Sequence, residues 1–143
     1  MAVQVKRVYE KPSRNDGTRV LVDRLWPRGL KKEQVAADAW LRDIAPGDAL
    51  RTWYHANPAQ WATFRKRYLK ELTAPAGAKA VEELYALMGK RKNLTLLFGS
   101  RNLERNNATV LKELLDGTRK PPTGSGPGAI QRGGMRRAAA RPR

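Results

Sequence analysis

Leu94-Thr-Leu-Leu-Phe98 carries no charge over five residues and is bounded by Asn93 and Gly99. A strand with one wet face alternates apolar and polar residues. A strand covered on both faces does not alternate, and that happens mainly in parallel sheets with helices above and below. Val20-Leu-Val22 is a second run of this kind, and it ends abruptly in Asp23-Arg-Leu-Trp-Pro-Arg-Gly29. Both runs are far shorter than the roughly 20 apolar residues a membrane-spanning helix needs. They predict an α/β domain with buried central strands.

The flanking sequence fills in the remaining layers. Val3, Val5 and Val8 with Tyr9 predict a first strand. Glu10 to Gly17 is dense in turn formers (Pro12, Ser13, Asn15, Asp16, Gly17) and leads into the second strand. So short a connection suits a hairpin, since a parallel pairing needs a crossover. Lys31 to Ala37 suits a short helix. Asp38 to Ile44 reads equally as helix or strand. Asp48 to Tyr54 reads as a helical turn or two. Asn57-Pro58 reads as a helix start, with Asn as cap and Pro in the first turn. Trp61, Phe64, Tyr68 and Leu72 then follow at helical spacing.

Pro75-Ala-Gly77 reads as a break. A helix follows with Val81, Leu84, Tyr85 and Met88 inward, closing near Gly89 with Lys90, Arg91 and Lys92 at its C-terminal dipole. A last helix runs from Glu104 or Asn106 to Asp116, and Gly117 ends it. Trp40, Trp53 and Trp61 read as core residues.

From Thr118 onward the composition changes to Gly, Pro and Arg with no apolar period, which predicts a disordered basic tail over 118–143 behind a folded domain over 1–117. The net charge is +16, from 29 Lys+Arg against 13 Asp+Glu. The tail holds seven of the basic residues and no acid, which leaves 22 basic against 13 acidic residues, +9, in the body. Such an excess favours anionic partners. The absence of cysteine excludes disulfides and thiolate chemistry, and a lone histidine, His55, excludes a multi-histidine metal site. No metal or cofactor is expected. Met1 to Lys6 moves directly into strand alternation without a secretory hydrophobic segment, so a cytoplasmic location away from membranes is expected.

Candidate site residues gather at two strand ends, where ligands of parallel α/β sheets usually sit. After the second strand come Asp23, Arg24, Trp26 and Arg28. After the last come Gly99, Ser100, Arg101, Asn106 and Asn107. The arginines suit a phosphate or carboxylate, and the asparagines lie at a helix start, where free N–H groups favour an anion. Asp23 is the candidate general base. Each residue also has a structural explanation: Asp23 as an ion-pair partner of Arg24 or Arg28, Asn106 or Asn107 as a helix cap. His55 lacks a visible catalytic partner. The resulting expectation is a protein that binds an anionic small molecule, such as a nucleotide, and acts on it if it is an enzyme. The alternative is a non-catalytic nucleic-acid-associated module using the basic body and Arg132, Arg136, Arg137, Arg141 and Arg143 of the tail.

The run Val20-Leu-Val-Asp-Arg-Leu-Trp-Pro-Arg-Gly29 resembles the YeaO-like proteins, a branch of the domain of unknown function 488 superfamily. The likeness continues through Trp40-Leu-Arg-Asp-Ile-Ala-Pro46, Trp61 to Leu69, Thr95 to Phe98 and Asn106 to Leu111. It implies a small Rossmann-like domain with a mostly parallel sheet of about four strands flanked by helices. It also implies a parallel first strand pair and a strand at Asp38 to Ile44. A related branch carries an Asp and a Pro-Arg pair like Asp23 and Pro27-Arg28, and adds a Glu and a Cys-His pair. Here those further positions are Gly99-Ser100 and Asn106-Asn107, so the nucleophile and base of that branch are missing.

Overall fold

The computed structural model describes residues 2–88 and 93–118. Among these residues four strands form one sheet: β1 (Val3–Arg7), β2 (Thr18–Leu21), β3 (Ala39–Trp40) and β4 (Leu94–Phe98). Their order is β1-β4-β2-β3, and every pairing is parallel. β1 and β2 therefore never pair with each other. β4 lies between them, with Val3 and Thr18 both opposite Leu94. This corrects the hairpin expected from the short connection; the parallel direction implied by the resemblance holds, with β4 inserted where a direct pairing was expected.

Among the described residues five α-helices surround the sheet: α1 (Lys32–Val35), α2 (Asp48–Ala56), α3 (Trp61–Glu71), α4 (Pro75–Met88) and α5 (Asn107–Thr118). The missing alternation in the central strands has its cause here. Val20, Val22, Leu94, Leu96 and Phe98 face one core with Phe64, Tyr68, Leu84 and Leu111. Leu21 and Leu97 point the opposite way and pack with Val8 and Val35, with Leu30 and Trp40 at the edge. Trp53 and Trp61 pack against the larger core as partly buried residues.

Toward the strand starts the second face is polar. Asp16 and Arg19 are buried there as an ion pair, and Lys6 reaches Asp16 at 3.1 Å. The Arg19 guanidinium also donates to the carbonyls of Val35 (2.7 Å) and Ala36 (3.0 Å). Buried charge is tolerable only when it is paired and hydrogen-bonded in this way. Gly17 makes the turn into β2 with φ +64°; a Cβ there would lie 2.1 Å from the Asn93 carbonyl oxygen.

Several local expectations give way to tertiary context. Asn57 does not start a helix: its amide donates back to the Trp53 carbonyl (2.9 Å), closing α2, and α3 begins at Trp61. Asp38 to Ile44 yields only the two-residue β3 and then a 3-10 turn over Arg42–Ile44. Pro75-Ala-Gly77 is the first turn of α4, not a break, because proline fits where no N–H partner is needed. The helix expected to end at Gly117 extends to Thr118. The expected cap at Gly89 to Lys92 and the tail from 119 lie outside the described residues. Among the described residues no helix is long and apolar enough to cross a membrane.

Candidate functional site

The parallel sheet sends β2 and β4 out on the same edge, and the loops leaving them meet. The hinge between them is Asp23. One of its carboxylate oxygens accepts from the Gly99 backbone N–H (2.8 Å), and the other accepts from the Asn107 amide (3.0 Å). The same Asn107 amide nitrogen donates to the Val22 carbonyl (2.9 Å). One side chain thus ties the end of β2, the end of β4 and the start of α5. Gly99 suits this approach: a Cβ there would stand 3.2 Å from the Asp23 oxygen. Burial pushes the Asp23 carboxyl above its ordinary 3.8, against the opposing pull of the Asn107 and Gly99 bonds and the Arg51 charge.

These loops and α2 enclose a cleft of about 760 Å³. The β2 loop supplies Asp23, Arg24, Leu25, Trp26 and Pro27, backed by Ala45 and Pro46. The β4 loop supplies Gly99, Ser100, Arg101, Asn102, Arg105, Asn106 and Asn107. The third wall is α2: Arg51, Tyr54 and His55, at i, i+3 and i+4, share one helix face, and Pro58 and Phe64 continue it. Four guanidinium-bearing residues thus line the cleft against one acid.

The candidate residues divide by what their side chains already do. Asp23, Arg24, Trp26, Ser100, Arg101, Asn106 and Asn107 all line the cleft. Arg28 does not; it is exposed outside, and its carbonyl accepts from the Tyr9 hydroxyl (3.1 Å). Arg24 donates to the Ala45 and Pro46 carbonyls (3.3 and 3.4 Å). Asn106 is 3% exposed and caps α5: its side-chain oxygen accepts from the Thr109 N–H (3.0 Å), and its own N–H donates to the Thr109 hydroxyl (3.1 Å). The Ser100 hydroxyl accepts from the Asn102 N–H (3.1 Å), and Asn102 accepts from the N–H groups of Glu104 and Arg105 (3.0 and 2.9 Å). These turns give the loop its shape. Arg101 is exposed and makes no side-chain hydrogen bond or ion pair among the described residues. Trp26 donates its indole N–H to the Leu30 carbonyl (2.7 Å) and packs edge-on to Trp40.

Sequence reasoning missed Arg51, Tyr54 and Arg105, and it gave His55 no neighbours. The signal available was the polar i, i+3, i+4 face of α2, which a solvated helix also shows. Among the described residues no group of three His, Asp or Glu side chains is arranged to hold a metal. The tail arginines Arg132, Arg136, Arg137, Arg141 and Arg143 lie outside the described residues.

Comparison with known proteins gives a family but no characterised activity. The family described as the inactive DUF488-N3 subclade matches residues 2–125. The uncharacterised protein YeaO of Escherichia coli (strain K12) is 43% identical over 115 residues, covering 80% of this chain and 97% of YeaO. Uncharacterised proteins of Mycobacterium bovis and Mycobacterium tuberculosis are likewise 43% identical over 115 residues, covering 80% of this chain and 94% of each relative. No solved structure matches.

Proposed function

The chain belongs to the DUF488 superfamily, in its inactive DUF488-N3 subclade, and we propose that it is a non-catalytic binder of a small anionic compound held in this cleft. The observation that carries the reading is the charge imbalance at the strand ends. Arg24, Arg51, Arg101 and Arg105 line the cleft, and the one acid among them, Asp23, has both oxygens occupied by internal donors. A concave, partly desolvated site strengthens the attraction of guanidinium groups for phosphate or carboxylate.

Asp23 serves this reading as a pin and not as a base. It ties the β2 loop, which carries Arg24, to the β4 loop, which presents Arg101 and Arg105. Asn106 and Asn107, spent on capping α5 and on Asp23, hold the floor in place without reaching for the ligand. The family description as inactive agrees with the missing Cys-His pair at these positions.

The test is to purify the protein from cells and identify retained compounds by mass spectrometry. Wild type and Arg28→Ala should retain the same anionic compound, because Arg28 lies outside the cleft. The Arg101→Ala/Arg105→Ala protein should lose it. Equal retention by all three, or none by wild type even after incubation with a cell extract, overturns the proposal.

A further inference from the structure

We infer that the compound is a phosphorylated nucleoside, its phosphate at the arginines of the β4 loop and its base on Trp26; this deepens the anion-binding reading and rests on it. Trp26 is the observation that takes the reading further. It is 38% exposed and lines the cleft, yet its ring is fixed from two sides. The indole N–H is bonded to the Leu30 carbonyl at 2.7 Å, and Trp40 meets the ring edge-on at 5.3 Å between centroids. An immobilised indole left open in a concave site is a stacking platform: the ordering cost is already met, and any flat ring finds a π-face there.

The α2 wall is also aromatic. Tyr54 on α2 is backed by Phe64, with centroids 4.2 Å apart and the planes within 16°. Charge enters from a third direction: Arg105 follows directly from the turn that Asn102 holds, and its carbonyl accepts from the Tyr54 hydroxyl (3.4 Å). A simple dicarboxylate or sugar phosphate would satisfy the guanidinium groups and leave the Trp26 face wet. A nucleoside phosphate covers both. The cleft, about 760 Å³, falls in the range of small-molecule sites, roughly 300–1,000 Å³.

The experiment is calorimetric titration with nucleoside 5′-monophosphates, ribose 5-phosphate and inorganic phosphate. Wild type should bind at least one nucleotide roughly tenfold or more tightly than ribose 5-phosphate, the advantage that base stacking supplies. Trp26→Ala should reduce that advantage to within about twofold while keeping ribose 5-phosphate affinity. Trp26→Phe, which keeps a ring, should retain most of it and decides the matter if the alanine protein fails to fold. A 5′-phosphorylated oligonucleotide binding as tightly as the free nucleotide would identify a strand end as the source; failure of that arm identifies the free nucleotide. Ribose 5-phosphate binding as tightly as every nucleotide overturns this inference and leaves the anion site standing. No binding of any phosphate overturns both.

Discussion

Asp23→Asn is the sharpest perturbation of the pin that joins the two loops. The carboxylate accepts at both oxygens, from Gly99 (2.8 Å) and Asn107 (3.0 Å). An amide of the same shape accepts at one end only. Whichever way it turns, its NH₂ meets another donor. Reversing Asn107 to compensate would forfeit the bond to the Val22 carbonyl. The substitution therefore removes one charge-assisted bond, about 1.5–3 kcal/mol, and leaves a partly buried donor unpaired. Relief from burying a charge offsets some of this, so the net loss at neutral pH is about 1.5–3 kcal/mol. For a domain of this size that lowers the melting temperature by roughly 5–15 °C.

The pH dependence has a definite sign. Burial, which outweighs the Asn107 and Gly99 bonds and the Arg51 charge, raises the Asp23 pKa in the folded protein above its ordinary 3.8. The native state then holds the proton more tightly than the unfolded chain, so this group's contribution is fully present below about 3.8 and declines as pH rises through the folded pKa. Protonation does not mimic asparagine, because the hydroxyl hydrogen can turn aside and leave both oxygens accepting. Thermal unfolding followed by circular dichroism should show wild type ahead of Asp23→Asn, with the gap narrowing from pH 4 upward. A variant within about 2 °C of wild type, or a gap that widens with pH, refutes the pin.

Two further outcomes follow from the buried polar face. Burial opposes ionisation of Asp16 most strongly as a single influence, yet the bonds from Ser13, Lys6 and Arg19 together hold its pKa below 3.8. Its contribution is thus present above that value and lost as pH falls below it. Asp16→Asn should cost about 3–5 kcal/mol at pH 7 by stranding Arg19 and should flatten the acid-unfolding slope below pH 4; urea unfolding at pH 7 and pH 3 checks both, and an unchanged slope counts against the network. Gly17→Ala should cost roughly 3 kcal/mol or more, since it adds a Cβ 2.1 Å from the Asn93 oxygen at φ +64°; a wild-type denaturant midpoint would contradict this.

The layers were legible where composition dictates them. Val20–Val22 and Leu94–Phe98 lack alternation because helices cover one face and the α1 segment the other. The two strand-end loops were legible for the same reason, since parallel strands deliver their loops to one edge. Strand order was not: β4 enters between β1 and β2 after about 70 intervening residues, and local turn chemistry carries no information about a partner so distant. Asn57 shows the same limit on a small scale, because its side chain had two helices to serve and bonded the earlier one. Asn106 was readable as either cap or ligand group, and its side chain makes the cap bond to Thr109 while lining the cleft. Arg51, Tyr54 and His55 were hidden because a polar helix face looks alike in solvent and in a cleft.

The central claim is that anions bind where the β2 and β4 loops meet α2. Amide chemical-shift mapping during titration with ribose 5-phosphate at low and high salt tests it most directly. The claim predicts shifts confined to residues 23–27, 51–55 and 99–107, weakening as salt screens the arginines. Shifts centred elsewhere, or none at millimolar ligand, would contradict it.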